Sequence, residues 1–245
     1  TLQTALAQSI NTVAARLADE VGTGNVAAAA RRLGINSHIQ LDPSMALGAV
    51  EVSPMEMAQA YAPFANGGFL AKGYGISRIR TASGKILYDH SVEKAARTQV
   101  IGTPSLQYMN QMMRQVVAAG TGTRARVPGY DLAGKTGTTS DYRDAWFVGY
   151  TGGFVTAVWV GKDDNKPMKR VTGGGAPAGM WRDFMSQALP RLKVQAIPGG
   201  TYTPPPQADP IGDLVDGIVD AIGGGTPAPP AQAPAQKAPA DDIPY

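Results

Sequence analysis

Apolar residues recur with helical spacing through the first third of the chain. The pattern from Leu2 to Val21 predicts a helix that breaks near Ser9, and Asn25 to Leu33 predicts a second helix. Ser53-Pro54-Met55-Glu56 combines an N-cap, a first-turn proline and a capping-box glutamate. It predicts a third helix that reaches Ala65.

Extended and helical patterns then alternate without the regular repeat of a doubly wound sheet. Two β-hairpins are predicted, from Ile76–Thr81 with Ile86–Tyr88 and from Ala145–Tyr150 with Phe154–Gly161. Helices are predicted after Thr103-Pro104 and over Met180–Leu189, and the first of them carries an apolar stripe of Leu106, Met109, Met113, Val116 and Val117. Methionines in such a stripe favour core packing over a cofactor site. The sum indicates an α+β fold with an antiparallel sheet flanked by helices.

Composition divides the chain near Lys193. Eleven of the nineteen prolines lie at or after Pro198, and Pro/Ala/Gln-rich sequence cannot bury enough apolar surface to offset its ordering entropy. We therefore predict a domain over residues 1–193 and a flexible tail over 194–245. Apolar residues at helical spacing predict one short amphipathic helix near 210–222, which either docks on its own domain or binds a partner.

Composition also excludes several kinds of chemistry. Hydrophobic residues make up 43% of the chain, but its longest apolar stretches fall far below the roughly 20 residues of a membrane span. There is no cysteine, and the two histidines, His38 and His90, are too far apart in sequence to suggest a metal site or a Ser-His triad. We expect no metal and no cofactor.

Charge is distributed unevenly along the chain. The net charge is +3, yet residues 198–245 carry six acids and one base, so the preceding domain is basic. A basic domain favours anionic partners such as carboxylate substrates or acidic lipid head groups. Lysine and arginine are not dense enough anywhere to indicate nucleic-acid binding.

One segment satisfies two motifs. Residues 129–136, ending in Gly134-Lys135-Thr136, match the Walker A expression, but that loop requires a helix directly after the threonine. Gly137-Thr138-Thr139-Ser140-Asp141 follows instead, and the segment continues into the second hairpin. The alternative is the K-T-G motif of serine acyltransferases that act on D-alanyl peptides and β-lactams.

The chemistry of those enzymes explains the K-T-G spacing. On a strand, Thr136 and Thr138 point the same way, so both can offer hydroxyls to a substrate carboxylate while Lys135 supplies positive charge. Gly137 lets an extended substrate lie against the strand edge, and the Thr138 N–H can donate to a developing oxyanion.

A second motif lies where the first helical pattern breaks. Ser9-Ile10-Asn11 is an S-x-N sequence, and in isolation its serine and asparagine would more often be helix caps than catalytic residues. Other motifs along the chain change that interpretation.

Taken in order, these motifs resemble the transpeptidase domain of class A penicillin-binding proteins over residues 1 to about 190. The resemblance rests on these segments: Leu6–Ala14, Ala46-Leu47-Gly48, Ser53–Ala58, Ala62–Gly68, Gly120-Thr121-Gly122, Gly134–Thr138 and Asp144–Tyr150.

The resemblance implies a serine D-alanyl-D-alanine transpeptidase that cross-links peptidoglycan stem peptides. It assigns Ser9 and Lys135 to proton transfer toward the leaving D-alanine, and Asn11 to the donor peptide amide. Thr136 and Thr138 would bind the terminal carboxylate, with Gly137 between them and the Thr138 N–H in the oxyanion hole. Its partners would be stem peptides of lipid II-derived glycan strands and β-lactam antibiotics.

The sequence departs from the family in one respect. The family's nucleophile belongs to an S-x-x-K motif before S-x-N, and the sequence starts with Thr1, too late to contain it. Ser91-Val92-Glu93-Lys94 fits the expression but follows S-x-N in a polar stretch, so we interpret it as a chance match. We expect the S-x-x-K helix and the first strands of the sheet to be missing, and the chain to be inactive alone.

By resemblance, the missing part would also include a glycosyltransferase domain and an N-terminal anchor. That anchor would place the protein at the periplasmic face of the bacterial inner membrane. Two alternatives remain open: a serine β-lactamase-like hydrolase, and a non-catalytic peptidoglycan-binding module.

Overall fold

The computed structural model describes residues 1–92 and 97–200, and this part is an α+β domain. Its helices are α1 (Leu2–Ala7), α2 (Asn11–Val21), α3 (Thr23–Arg32), α4 (Pro54–Asn66), α5 (Thr103–Ala118) and α6 (Ala176–Ala188). Its strands are β1 (Arg78–Arg80), β2 (Ile86–Asp89), β3 (Ala133–Thr138), β4 (Asp144–Thr151) and β5 (Phe154–Gly161). The predicted fold class is confirmed.

The start of α4 follows the predicted capping box. The Ser53 hydroxyl accepts a bond from the Glu56 N–H, and the Glu56 carboxylate accepts one from the Ser53 N–H. The same carboxylate accepts bonds from Asn36 and Ser37 and so ties the preceding loop to the helix. These bonds, those from Ser53 and Ser37 above all, lower the pKa of Glu56 to about 2.

The main sheet is antiparallel, with the strand order β3-β4-β5. Lys135 lies opposite Val148, and Trp146 lies opposite Trp159. The hairpin β1-β2 forms a separate two-stranded sheet. Within residues 1–92 and 97–200, β3 has only β4 as a paired neighbour, so its other edge is free.

Two buried clusters hold helices against the sheet. In one, Trp181 of α6 packs edge-on against Phe147 of β4. In the other, Phe64 of α4 and Met113 of α5 pack around Tyr150. Met113 is 3% exposed, which agrees with the core role predicted for the methionine stripe.

Packing continues past the boundary that we predicted at Lys193. Gln195 pairs with Gly152 in an isolated antiparallel bridge, and Ile197 is 1% exposed. Buried Arg114 forms a bidentate ion pair with Asp131 and donates to the Ile197 carbonyl, while Asp131 accepts from the Ile197 N–H. These contacts use main-chain atoms of the segment, so no sequence pattern could predict them.

Other boundaries shift by a few residues. Helix α6 begins at Ala176 rather than Met180, because Pro177 fits the first turn of a helix. Helix α3 begins at Thr23 rather than Asn25. The amphipathic helix predicted near 210–222 lies outside the described residues and stays a prediction.

Candidate active site

Ser9 occupies a left-handed turn between α1 and α2. Its φ is +54°, a conformation that costs a non-glycine residue about 1–2 kcal/mol. The Ser9 N–H donates to the Leu6 carbonyl and the Ile10 N–H to the Ala5 carbonyl, which is the Schellman pattern of a helix end. Glycine is the usual residue at this position, so the serine is retained at a local cost in free energy.

Strand β3 presents the K-T-G segment at the free edge of the sheet. The Thr139 N–H, just past the strand, donates to the Asp144 carbonyl at 3.1 Å, on the side of β4. Main-chain groups alternate in direction along an antiparallel strand, so those of Thr136 and Thr138 point away from β4. An extended peptide could therefore pair with this edge, and the Thr138 N–H could donate to it.

The lysine of K-T-G meets the serine of S-x-N. The Lys135 Nζ donates to the Ser9 Oγ at 2.8 Å and to the Thr136 carbonyl at 2.9 Å. The structure thus brings together two residues that lie 126 positions apart, as the motif assignment requires. Burial lowers the pKa of Lys135 to about 8, so near neutral pH it is largely charged yet able to exchange a proton.

The two threonines of the segment have different surroundings. Thr138 is exposed, and its Oγ1 accepts a bond from the Gly173 N–H at 3.0 Å, which leaves its own proton available to a ligand. Thr136 is 9% exposed, and its hydroxyl lies 2.7 Å from that of Thr121. A carboxylate contact is therefore more accessible to Thr138, and the predicted carboxylate role of Thr136 stays a prediction.

Gly137 and Asn11 complete the predicted set. Gly137 lies opposite Trp146, and a Cβ on it would come 3.3 Å from the Cβ of that tryptophan, a tight approach. Asn11 is the first residue of α2 and is exposed. Its side chain makes no hydrogen bond within the described residues, so its role toward a substrate amide stays a prediction.

The structure also bears on the Walker A match over residues 129–136 and on the S-x-x-K match at Ser91. The residues after Thr136 continue as strand and turn into β4, and no helix starts there, so the segment is not a phosphate-binding loop. The Ser91 hydroxyl donates to the Asp89 carboxylate at 2.6 Å, and Lys94 lies outside the described residues.

The structure was also searched for metal sites and for helices that could span a membrane. Across residues 1–92 and 97–200, no three His, Asp or Glu side chains come close enough to hold a metal ion. In the same residues, no helix has the length and apolar character to cross a membrane.

Two contributors to the site were not identified from the sequence. Thr121 pairs with Thr136, and Gly173 donates to Thr138. A Cβ on Gly173 would lie 2.3 Å from the Trp146 carbonyl, so only glycine lets this loop lie so close to the strand. The available signal was the density of glycine in Gly120-Thr121-Gly122 and in residues 173–175.

The assembled geometry is suited to acyl transfer on a peptide that carries a carboxylate. A half-buried cation contacts a hydroxyl that can relay a proton, and a strand edge offers a main-chain donor beside an exposed hydroxyl. Charge-assisted bonds of this kind stabilise a bound carboxylate, and the donor can stabilise an oxyanion.

Comparison with known proteins gives a consistent result. The model of the penicillin-binding protein transpeptidase domain matches residues 1–186. Penicillin-binding protein 1A of Aquifex aeolicus is 38% identical over 210 residues, which cover 84% of this chain and 27% of that protein. Penicillin-binding protein 1A of Neisseria lactamica is 39% identical over 194 residues, covering 77% of this chain and 24% of that protein.

Solved structures agree with the sequence matches. The penicillin-binding protein PonA1 of Mycobacterium tuberculosis, in complex with penicillin V, superposes with a TM-score of 0.72 at 28% identity, covering 84% of this chain and 62% of that one. Penicillin-binding protein 1A of Haemophilus influenzae gives a TM-score of 0.69 at 26% identity, covering 84% and 36%. The chain thus spans about a quarter of the length of these curated relatives.

Proposed function

Because the chain belongs to the transpeptidase family of penicillin-binding proteins, we propose that it forms part of a serine D-alanyl-D-alanine transpeptidase that cross-links peptidoglycan stem peptides. The observation that carries the proposal is the 2.8 Å contact between the Lys135 Nζ and the Ser9 Oγ. It joins two motifs distant in sequence in the arrangement that proton relay requires.

The proposed reaction begins with binding at the free edge of β3. The donor peptide lies along this edge, and its terminal carboxylate is held by the charge of Lys135 and the hydroxyl of Thr138. Asn11 orients the donor amide. The Thr138 N–H stabilises the oxyanion of the tetrahedral intermediate.

Acylation then proceeds on a serine of an S-x-x-K motif, which we place in a part of the protein outside this sequence. The serine gives its proton to the lysine of that motif, its oxygen bonds to the carbonyl carbon of the penultimate D-alanine, and the C–N bond to the terminal D-alanine breaks. Ser9 passes a proton to the leaving amine and recovers one from Lys135. The amino group of a neighbouring stem peptide then attacks the acyl-enzyme and forms the cross-link, its proton returns to Lys135 through Ser9, and the released serine takes its own proton back from the motif lysine.

The setting of the reaction is part of the proposal. The substrates are stem peptides on lipid II-derived glycan strands, and β-lactams acylate the same serine. The structure of PonA1 in complex with penicillin V supports the second point by analogy. We place the whole protein at the periplasmic face of the inner membrane, as a bifunctional enzyme with a glycosyltransferase domain.

The test compares two lysines in the complete gene product. Lys135→Ala removes the cation of the site, whereas Lys85→Ala changes an exposed residue beside the β1-β2 turn. Loss of a charge-assisted contact of about 1.5–3 kcal/mol lowers the rate of acylation by a fluorescent penicillin by roughly 10- to 100-fold. Lys85→Ala should match the unmodified protein.

Each alternative function predicts another result in this assay. A non-catalytic module would show no covalent labelling in the unmodified protein. A β-lactamase-like hydrolase would release labelled penicillin within the assay and turn over many equivalents. Equal acylation of the two lysine variants would remove Lys135 from the site.

The proposal also covers residues 1–245 expressed alone. They should not form a hydroxylamine-sensitive adduct with penicillin, because the Ser9 Oγ accepts a bond from Lys135 and the nucleophile that we propose lies outside this sequence. An adduct mapped to Ser91 would instead make Ser91-Val92-Glu93-Lys94 the nucleophile motif.

A further inference from the structure

A tight turn behind the site contacts both α1, which leads into Ser9, and β3, which carries Lys135. This turn, Gly120-Thr121-Gly122, follows α5 directly. The Thr121 N–H donates to the carbonyl of Ala7, the last residue of α1, at 3.0 Å. The hydroxyl of Thr121 lies 2.7 Å from that of Thr136 on β3. One residue therefore connects the end of the helix that leads into Ser9 with the strand that carries Lys135.

The turn holds its two neighbours at a fixed spacing. A Cβ on Gly120 would lie 2.2 Å from the Ala7 carbonyl oxygen, so α1 packs directly on the backbone of the turn. On another side, a Cβ on Gly174 would lie 2.3 Å from the Thr121 carbonyl oxygen, so the loop before α6 presses on the turn as well. With backbone in contact on both sides, Thr121 has little freedom to shift.

The hydroxyl pair links Thr121 to the reacting groups through one residue. The carbonyl of Thr136 accepts a bond from the Lys135 Nζ at 2.9 Å, and the same nitrogen donates to the Ser9 Oγ at 2.8 Å. Thr136 is nearly buried, so a displaced hydroxyl there would lack access to water. A shift of Thr136 that restores its bonding would carry its carbonyl, and with it the lysine, away from Ser9.

We propose that Thr121 is a positioning residue that sets the distance between the Ser9 Oγ and the Lys135 Nζ. The inference rests on the proposed acyl transfer, in which these two atoms relay a proton. Thr121 acts through Thr136 on one side and through the end of α1 on the other. Because Thr121 acts on these two atoms through its neighbours, we expect its loss to affect the chemical step more than binding.

The test uses Thr121→Val, which keeps the shape of the side chain and removes the hydroxyl. In the complete gene product, acylation by a fluorescent penicillin is followed over a range of concentrations, which separates the limiting rate constant from the apparent dissociation constant. Loss of this partly buried hydroxyl pair lowers the limiting rate constant by about tenfold, with the dissociation constant changed by less than about threefold.

Three further variants separate positioning from folding. Thr121→Ser keeps the hydroxyl and should acylate within about threefold of the unmodified protein. Thr123→Val alters an exposed threonine two residues away and should have no effect. If Thr121→Val does not fold, Thr121→Ala, which adds no bulk, carries the same expectation. Thermal unfolding of each variant is measured beside its kinetics.

Several outcomes would overturn the inference. One is a limiting rate constant in Thr121→Val equal to that of the unmodified protein. Another is a limiting rate constant that falls as much in Thr121→Ser as in Thr121→Val. The third is a change in Thr121→Val that affects only the dissociation constant. These outcomes leave the proposed function intact, because the unmodified protein is still acylated. Absence of acylation in the unmodified protein would instead remove the proposed function and this inference with it.

Discussion

Replacement of Lys135 by methionine should stabilise the folded protein while lowering its rate of acylation by penicillin. The ammonium is substantially buried in the site, and burial lowers its pKa from an ordinary 10.5 to about 8. A fall of that size means that folding with a charged Lys135 costs about 3 kcal/mol at neutral pH. Methionine keeps an unbranched chain of similar length and carries no charge.

The gain is smaller than the full cost, because Lys135 also donates two hydrogen bonds. Its bonds to the Ser9 Oγ and the Thr136 carbonyl are lost, and they offset about 1 kcal/mol. We expect Lys135→Met to raise the free energy of unfolding by about 2 kcal/mol at pH 7. Penicillin acylation should fall as in Lys135→Ala.

The difference in stability between Lys135→Met and the unmodified protein should depend on pH. Between pH 8 and 10.5 the unfolded chain binds the Lys135 proton more strongly than the folded chain, so the stability of the unmodified protein rises with pH across this window. The advantage of Lys135→Met should therefore shrink above pH 8 and disappear by about pH 10.5.

Urea unfolding of the complete gene product, followed by tryptophan fluorescence at pH 7 and pH 10, measures both stabilities. Lys85→Met is the matched control and should show no gain at either pH, because Lys85 is exposed. A Lys135→Met protein less stable than the unmodified one at pH 7, or an advantage equal at the two pH values, would refute the argument from burial.

Three further changes have outcomes set by local structure. Ser9→Gly should raise the free energy of unfolding by about 1 kcal/mol, since glycine adopts the left-handed turn freely, and should abolish acylation; unchanged acylation would exclude the relay. Glu56→Gln should cost about 1 kcal/mol at pH 7 by weakening the capping box, and the difference should vanish as the pH falls from 4.5 toward 2; thermal melts at each pH measure it. Asp131→Asn should cost about 3 kcal/mol in urea unfolding, because it leaves buried Arg114 without its countercharge; a loss under 1 kcal/mol would show the pair to be dispensable.

Local rules account for the parts of the fold that were predicted. Ser53, Pro54 and Glu56 each act within one helical turn, so the start of α4 could be predicted from the sequence of that turn alone. The second hairpin followed from alternating and apolar runs separated by a short glycine turn. The pairing of Ser9 with Lys135 was predicted from the order of separated motifs along the chain, which matches that of the family. Rules that apply within a single helix or hairpin could not predict it.

Contacts between residues that are distant in sequence account for what was missed. The segment after Lys193 is held by Arg114, Asp131 and Gly152 through its carbonyls and N–H groups, which every sequence possesses. The pair of Thr121 and Thr136 joins two hydroxyls 15 positions apart with no pattern between them. The burial of Thr136 likewise depends on the loops packed over that face of β3.

The separation of Ser9 and Lys135 in sequence also bears on when, on the proposed function, β-lactams can first acylate the protein during biosynthesis. Their contact spans 126 positions, and Lys135 lies on β3, which is paired with β4. Contacts of such high sequence separation form late, because the entropy of the intervening loop is lost before they contribute. On the proposed function, a growing chain passes through export and collapse without a site for β-lactams to acylate, and the antibiotic captures only molecules that have already matured.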